Sequence, residues 1–143
     1  MDPKLASPAK ALRAAAKHGD MREVRWLVGQ GVDVNVWEEN GYTALTNAAH
    51  AGHTEIVRFL LRNGAWADPH EDCAPYFTPL AEAARRGHLA IVKMLIEAGA
   101  NPTWQVGPSQ MTAENYARGS QPEVRAYLVK VIEQMEKKQR RKK

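Results

Sequence analysis

The chain has 143 residues, 44% of them hydrophobic and 25% charged, which suits one domain with a core and leaves no room for several. Of its formal charge of +4, the residues Lys137, Lys138, Arg140, Arg141, Lys142 and Lys143 supply six positive charges, so the remaining body stands at −2. One cysteine, Cys73, excludes an internal disulfide framework, no apolar run reaches the length of a membrane span, and MDPKLASPAK lacks a signal-peptide core.

Taken in order, residues 1–8 are expected to be a flexible lead-in. From Ala9 the chain interleaves Lys10, Arg13 and Lys17 with alanines, as an outward-facing terminal helix needs. The stretch GYTALTNAAHAGHTEIVRFLLRNGA, Gly41 to Ala65, reads as two short helices back to back. Thr43 is placed to cap the first by accepting from an amide with no intrahelical partner. Leu45, Ala48 and Ala49 give that helix a narrow apolar face, and Gly52 supplies the left-handed residue that ends it. Thr54 is placed to cap the second helix, whose Ile56, Val57, Leu60 and Leu61 follow amphipathic spacing up to Gly64.

The same unit recurs in phase. Gly19 and Gly52 are 33 residues apart and Gly52 and Gly87 are 35 apart, and Gly31, Gly64 and Gly99 repeat both intervals. Leu12, Leu45 and Leu80 keep that register, as do Ala15–Ala16, Ala48–Ala49 and Ala83–Ala84. The two extra residues fall in HEDCAPYF, between helices, where insertions are tolerated. A helix pair this short cannot bury both its sides alone, so stacked neighbours are required. In the last unit, Val124, Leu128, Val131, Ile132 and Met135 form a stripe expected to cover Ile91, Val92, Leu95 and Ile96. A membrane-surface helix over Pro122–Lys138 is the competing idea, disfavoured because the stripe is in phase with the repeat.

TALTNAAHAGHTEIVRFLLRNGA, TPLAEAARRGHLAIVKMLIEAGANP and, more loosely, ALRAAAKHGDMREVRWLVGQGVDVN resemble ankyrin repeats, and the resemblance runs from about Ala9 to Ile132. It implies an all-α ankyrin-repeat solenoid of about four stacked helix–turn–helix units, with finger-like connecting turns and a long C-terminal capping helix. The expected division is an N-capping repeat over 9–36, repeats over 37–69 and 70–102, a C-capping repeat over 103–136 and a basic tail over 137–143. The chain departs from the family pattern where Arg13, Thr46 and Ala81 replace the usual histidine, and where Ser120-Gln121 replaces Gly-His. The finger Asp72-Cys-Ala-Pro-Tyr76 also lacks the usual Asp-x-x-Gly.

No constellation points to catalysis. His53 and His88 repeat one position after a helix-ending glycine and are expected to bond loop backbone, as the resemblance also implies. His70 and Cys73 lack the further ligands a closed zinc site needs, and acidic Glu71 and Asp72 disfavour a Cys73 thiolate. The pairs Glu38–Glu39 and Glu71–Asp72 are expected to be solvated charge, since general acid–base work requires carboxylates converging in one pocket. No phosphate loop, nucleophile elbow or dinucleotide fingerprint is present. The chain is therefore expected to be neither an enzyme nor a cofactor, metal or small-molecule-substrate protein.

What remains is a surface. On an ankyrin-like stack, Trp37, Glu39, Asn40, Tyr42, Tyr76, Phe77, Trp104 and Gln105 fall on the finger side. Lys17, His18, His50, Arg85, Arg86 and Arg118 fall on the exposed ends of the first helices. Aromatics and arginine most often anchor interfaces, whereas Trp26 and Trp66 are expected to pack. The expected function is a non-catalytic protein–protein interaction module, an adaptor or inhibitor. It would be a monomer that binds a protein or peptide with an acidic strip and an apolar anchor. The alternative is nucleic-acid or anionic-surface binding by the basic tail and the inner-helix cations. That tail is otherwise a solvated, disordered run or a nuclear-import-like signal, and the protein is expected in the cytoplasm or nucleus.

Overall fold

The computed structural model describes residues 7–69, 77–117 and 121–142. Among them run eight helices: α1 (Pro8–His18), α2 (Met21–Gly29), α3 (Ala44–Ala51), α4 (Thr54–Arg62), α5 (Pro79–Arg86), α6 (Leu89–Glu97), α7 (Ala113–Tyr116) and α8 (Pro122–Arg141). The inner helices α1, α3, α5 and α7 pack side by side, with α2, α4, α6 and α8 behind them. This is the expected solenoid.

Hydroxyl caps start the inner helices. Ser7 accepts from Lys10 N, Thr78 from Ala81 N, and Thr43 and Thr112 each close a capping box. Thr46, which stands where the family has histidine, completes the Thr43 box with its own hydroxyl. Gly19, Gly52 and Gly87 end α1, α3 and α5 at φ near +80°.

Those glycines also admit the neighbouring unit. A Cβ on Gly19 would lie 2.7 Å from the His53 ring, and one on Gly52 equally close to the His88 ring. His53 Nε2 meets Lys17 O at 3.0 Å and His88 Nε2 meets His50 O at 3.2 Å, so each ring bonds a last-turn carbonyl of the preceding inner helix rather than the loop backbone expected. Gln121 takes that place at the third junction, its side chain lying on Gly87. His53, not Thr54, is the N-cap residue of α4, and it makes no side-chain cap bond because its ring is engaged on α1. Thr54 is already helical.

The small residues of the inner row, Ala15, Ala16, Ala48, Ala49, Ala83 and Ala84, are all buried and let the helices approach closely. Leu12, Leu45, Leu80, Val57, Leu60, Val92 and Leu95 complete one continuous core. Val124 and Leu128 of α8 join it, while Val131, Ile132 and Met135 are only half-covered. The boundary expected at residue 137 falls inside α8, and Lys137–Arg141 are helical rather than a disordered run. Glu133 and Glu136 precede Lys137 and Arg140 by four residues, and cations suit a helix C-terminus. No helix among the described residues is long and apolar enough to cross a membrane.

A second staple joins the outer turns. Asn35 Oδ1 accepts from Trp66 N at 2.8 Å, and Asn35 Nδ2 donates to Gly64 O at 3.0 Å. Asp68 holds the same place one unit on, its Oδ2 accepting from Asn101 N at 2.8 Å. Its Oδ1, in the role of the Asn35 amide nitrogen, is buried without a partner. A carboxylate oxygen cannot donate there unless protonated, and burial raises the Asp68 pKa above its usual range against the opposing bond from Asn101. Asp68→Asn should therefore stabilise the fold by about 1 kcal/mol at neutral pH in urea unfolding. The folded state holds the Asp68 proton more tightly than the unfolded chain. Wild type should thus gain on the variant as pH falls towards 3.8, and the two should stay parallel if the staple is not the cause.

Candidate functional site

The concave side is organised around a carboxylate that the sequence reading passed over. Glu82, on α5, is fully buried. Its Oε2 accepts from His50 Nδ1 on the preceding inner helix, and Arg85 Nη2 reaches Oε1 at 3.3 Å and Oε2 at 3.1 Å. The Tyr42 hydroxyl donates to the same carboxylate. A lone buried carboxylate would be expensive, and three donors satisfy this one. Burial first, then the Glu82 charge and hydrogen bond, raises the Tyr42 pKa well above 10.0, with Arg85 acting in the opposite direction. Tyr42 therefore stays a donor.

Arg85 also lies over the Phe77 ring, 5.5 Å from its centroid, and Phe77 meets Tyr116 edge-on at 5.5 Å. Phe77 is thus clamped between an arginine and a ring. At the other end of the wall, Arg13 turns inward, Nε to Glu38 Oε1 at 3.0 Å and Nη1 to Val36 O at 3.5 Å. This corrects two expectations: Arg13 is not on a wet face, and Glu38 is not merely solvated, since each neutralises the other.

The first finger is a tight turn in which Gly41 N donates to Glu38 O and Glu38 N to Tyr42 O, while Asn40 Oδ1 accepts from Tyr42 N. It brings Asn40 and Tyr42 beside His50, Asn47, Lys10, Arg13, Lys17 and His18 around a depression of about 370 Å³. Trp37, Glu39, Arg85 and Arg86 are exposed. Trp104 does not join that group: it borders a separate depression with Trp66, Asp68, Ala98 and Gly99. Tyr76 and Arg118 of the expected surface, Lys143 of the tail, and His70, Glu71, Asp72 and Cys73 lie outside the described residues. Among the described residues no group of three or more His, Cys, Asp or Glu is arranged to hold a metal.

Trp26 and Trp66 are not packed away as expected. They are 56% and 46% exposed; for Trp26 the reason is that the buried positions of α2 are Val24 and Leu27 and it points away from them. The only advance signal for Glu82 was a glutamate three residues before an arginine in an alanine-rich inner helix.

A row of capped helix pairs stacked through buried alanine faces defines a helical-repeat solenoid. The family model for ankyrin repeats, three copies, matches residues 12–106, and the chain belongs to the ankyrin repeat family. It is 51% identical over 55 residues to human ankyrin repeat domain-containing protein 40, covering 38% of this chain and 15% of that protein. It is 36% identical over 59 residues to human ankyrin repeat domain-containing protein 39, covering 41% and 32%. It is 43% identical over 61 residues to mouse 2-5A-dependent ribonuclease, covering 42% and 8%. The chain thus spans less than a third of each of these relatives. Ankyrin repeats are generally protein-interaction modules and typically non-catalytic.

Removing the central carboxylate leaves Tyr42, His50 and Arg85 without their common acceptor. Glu82→Ala should cost about 2–4 kcal/mol in urea unfolding and Glu82→Gln about 1. Since folding raises the Tyr42 pKa, its contribution holds below pH 10.0 and is lost as pH climbs beyond it. Tyr42→Phe should therefore flatten the alkaline decline.

Proposed function

We propose that this chain is a non-catalytic interaction module, an adaptor or inhibitor, whose concave wall docks a partner protein or peptide. The observation that carries this is the fixed state of the wall. Tyr42, His50 and Arg85 converge on Glu82, Arg13 holds Glu38, and Phe77 is clamped. Side chains held in advance lose little entropy on association. The exposed Trp37 and Arg86 supply anchor chemistry. Action in the cytoplasm or nucleus, as a monomer, belongs to the same proposal, supported by the single cysteine.

A second proposal concerns the end of α8, where Lys137, Lys138, Arg140, Arg141 and Lys142 are exposed along the last turns. A helical cation cluster of this kind is suited to phosphates of nucleic acid or an anionic surface. One affinity-capture experiment separates the two. A partner captured by wild type should be lost with Trp37→Ala plus Arg86→Glu, while the melting temperature stays within about 2 °C. The same partner should survive truncation after Glu136. Loss on truncation alone, with strong salt dependence, supports the α8 end instead.

A further inference from the structure

In the repeat register Lys17, His50 and Arg85 are one position in three successive inner helices, and Ala14, Asn47 and Glu82 are the position beside it. Between the second and third units this pattern is electrostatically closed, since Glu82 takes both His50 and Arg85. Between the first and second units it is open. Asn47 stands where Glu82 would be, half-buried at the rim of the 370 Å³ depression, and Lys17 faces the same depression. Lys10, Lys17 and His18 have no ion pair among the described residues, because the nearby Glu38 is committed to Arg13.

We infer that this depression binds a carboxylate supplied in trans, from an acidic stretch of a partner polypeptide. That carboxylate does for Lys17 what Glu82 does for Arg85 one unit further along. The surrounding groups suit a peptide carrying such an acid. Asn40 spends its carbonyl oxygen on Tyr42 N and keeps its amide nitrogen for a peptide carbonyl. Asn47 offers both a donor and an acceptor, and the Tyr42 ring, fixed through its hydroxyl on Glu82, forms an apolar side wall. Lys10 and Lys17 are seven residues apart on α1, roughly 10 Å along the axis, within lysine reach of acids at alternate positions of an extended segment. This rests on the concave wall being a protein-docking face, and it locates the acidic contact at the first and second units rather than at Arg85.

The test is a titration of the ¹⁵N-labelled full chain with a peptide mixture Glu-X-Glu-X-Glu, alongside the matching Lys-X-Lys-X-Lys mixture and an oligothymidylate of equal charge. Saturable amide shifts confined to the Lys10–His18 and Asn40–His50 segments are expected with the glutamate peptides alone. Asn47→Glu supplies the missing carboxylate internally and should weaken binding roughly tenfold without lowering the melting temperature, as should Lys17→Glu. Lys130→Glu, on α8, should change nothing. Equal binding by Asn47→Glu and wild type, shifts elsewhere, or no saturation overturns the inference, as does an equal response to the oligothymidylate. A partner that needs Trp37 and Arg86 but is indifferent to Asn47→Glu overturns this site and leaves protein docking standing.

Discussion

A helix pair of some twenty residues has apolar surface on two sides and can cover only one of them itself. Every other feature of this chain follows from that shortage. Alanine pairs on the inner helices let the units close up, and Leu12, Leu45, Leu80 and their outer-helix counterparts fill the space between. Each junction is then latched by a side chain reaching back one unit. His53 lies on Gly19, His88 on Gly52 and Gln121 on Gly87, and the two histidines also bond the Lys17 and His50 carbonyls. Glycine at those three places does two things at once: it turns the chain at positive φ and leaves room for the latch.

That division explains what was legible in the sequence. Helix starts and stops depend on residues within three or four positions of each other, so Thr43, Gly52 and Gly87 announced themselves, while Thr54 was one residue off. Phase across units revealed the stack. The side-chain network of the wall was not legible, because its partners are far apart in sequence: Arg13 and Glu38 by 25 residues, His50 and Glu82 by 32. Arg13, read as a wet cation, and Glu38, read as solvated acid, changed meaning only once the fold brought them together. Trp26 misled differently: its place in the second helix suggested packing, but Val24 and Leu27 hold the buried face of that helix and Trp26, between them in sequence, lies on the outer one.

The same long-range pairing reshapes the account of the concave face. A column of cations read from sequence implied one basic strip, whereas Glu82 pairs with Arg85 and holds the His50 ring. Charge is left unopposed at α1, beside an asparagine rather than a glutamate. The family sets the architecture, and the side chains at two adjacent register positions set what each segment of the wall presents. Trp104, which shares its surroundings with Trp66 rather than Tyr42, belongs to the outer turns.

Native-state hydrogen exchange of the full chain bears most directly on the claim that the units hold together as one stack with a common wall. Amides of Leu45–Ala49 and Ala81–Ala84 should be the last to exchange and should share one opening free energy, equal to that of global unfolding. If α5 and α6 opened well below that free energy while α3 and α4 stayed protected, the wall would not be a single preformed surface, and the account built on it would fail.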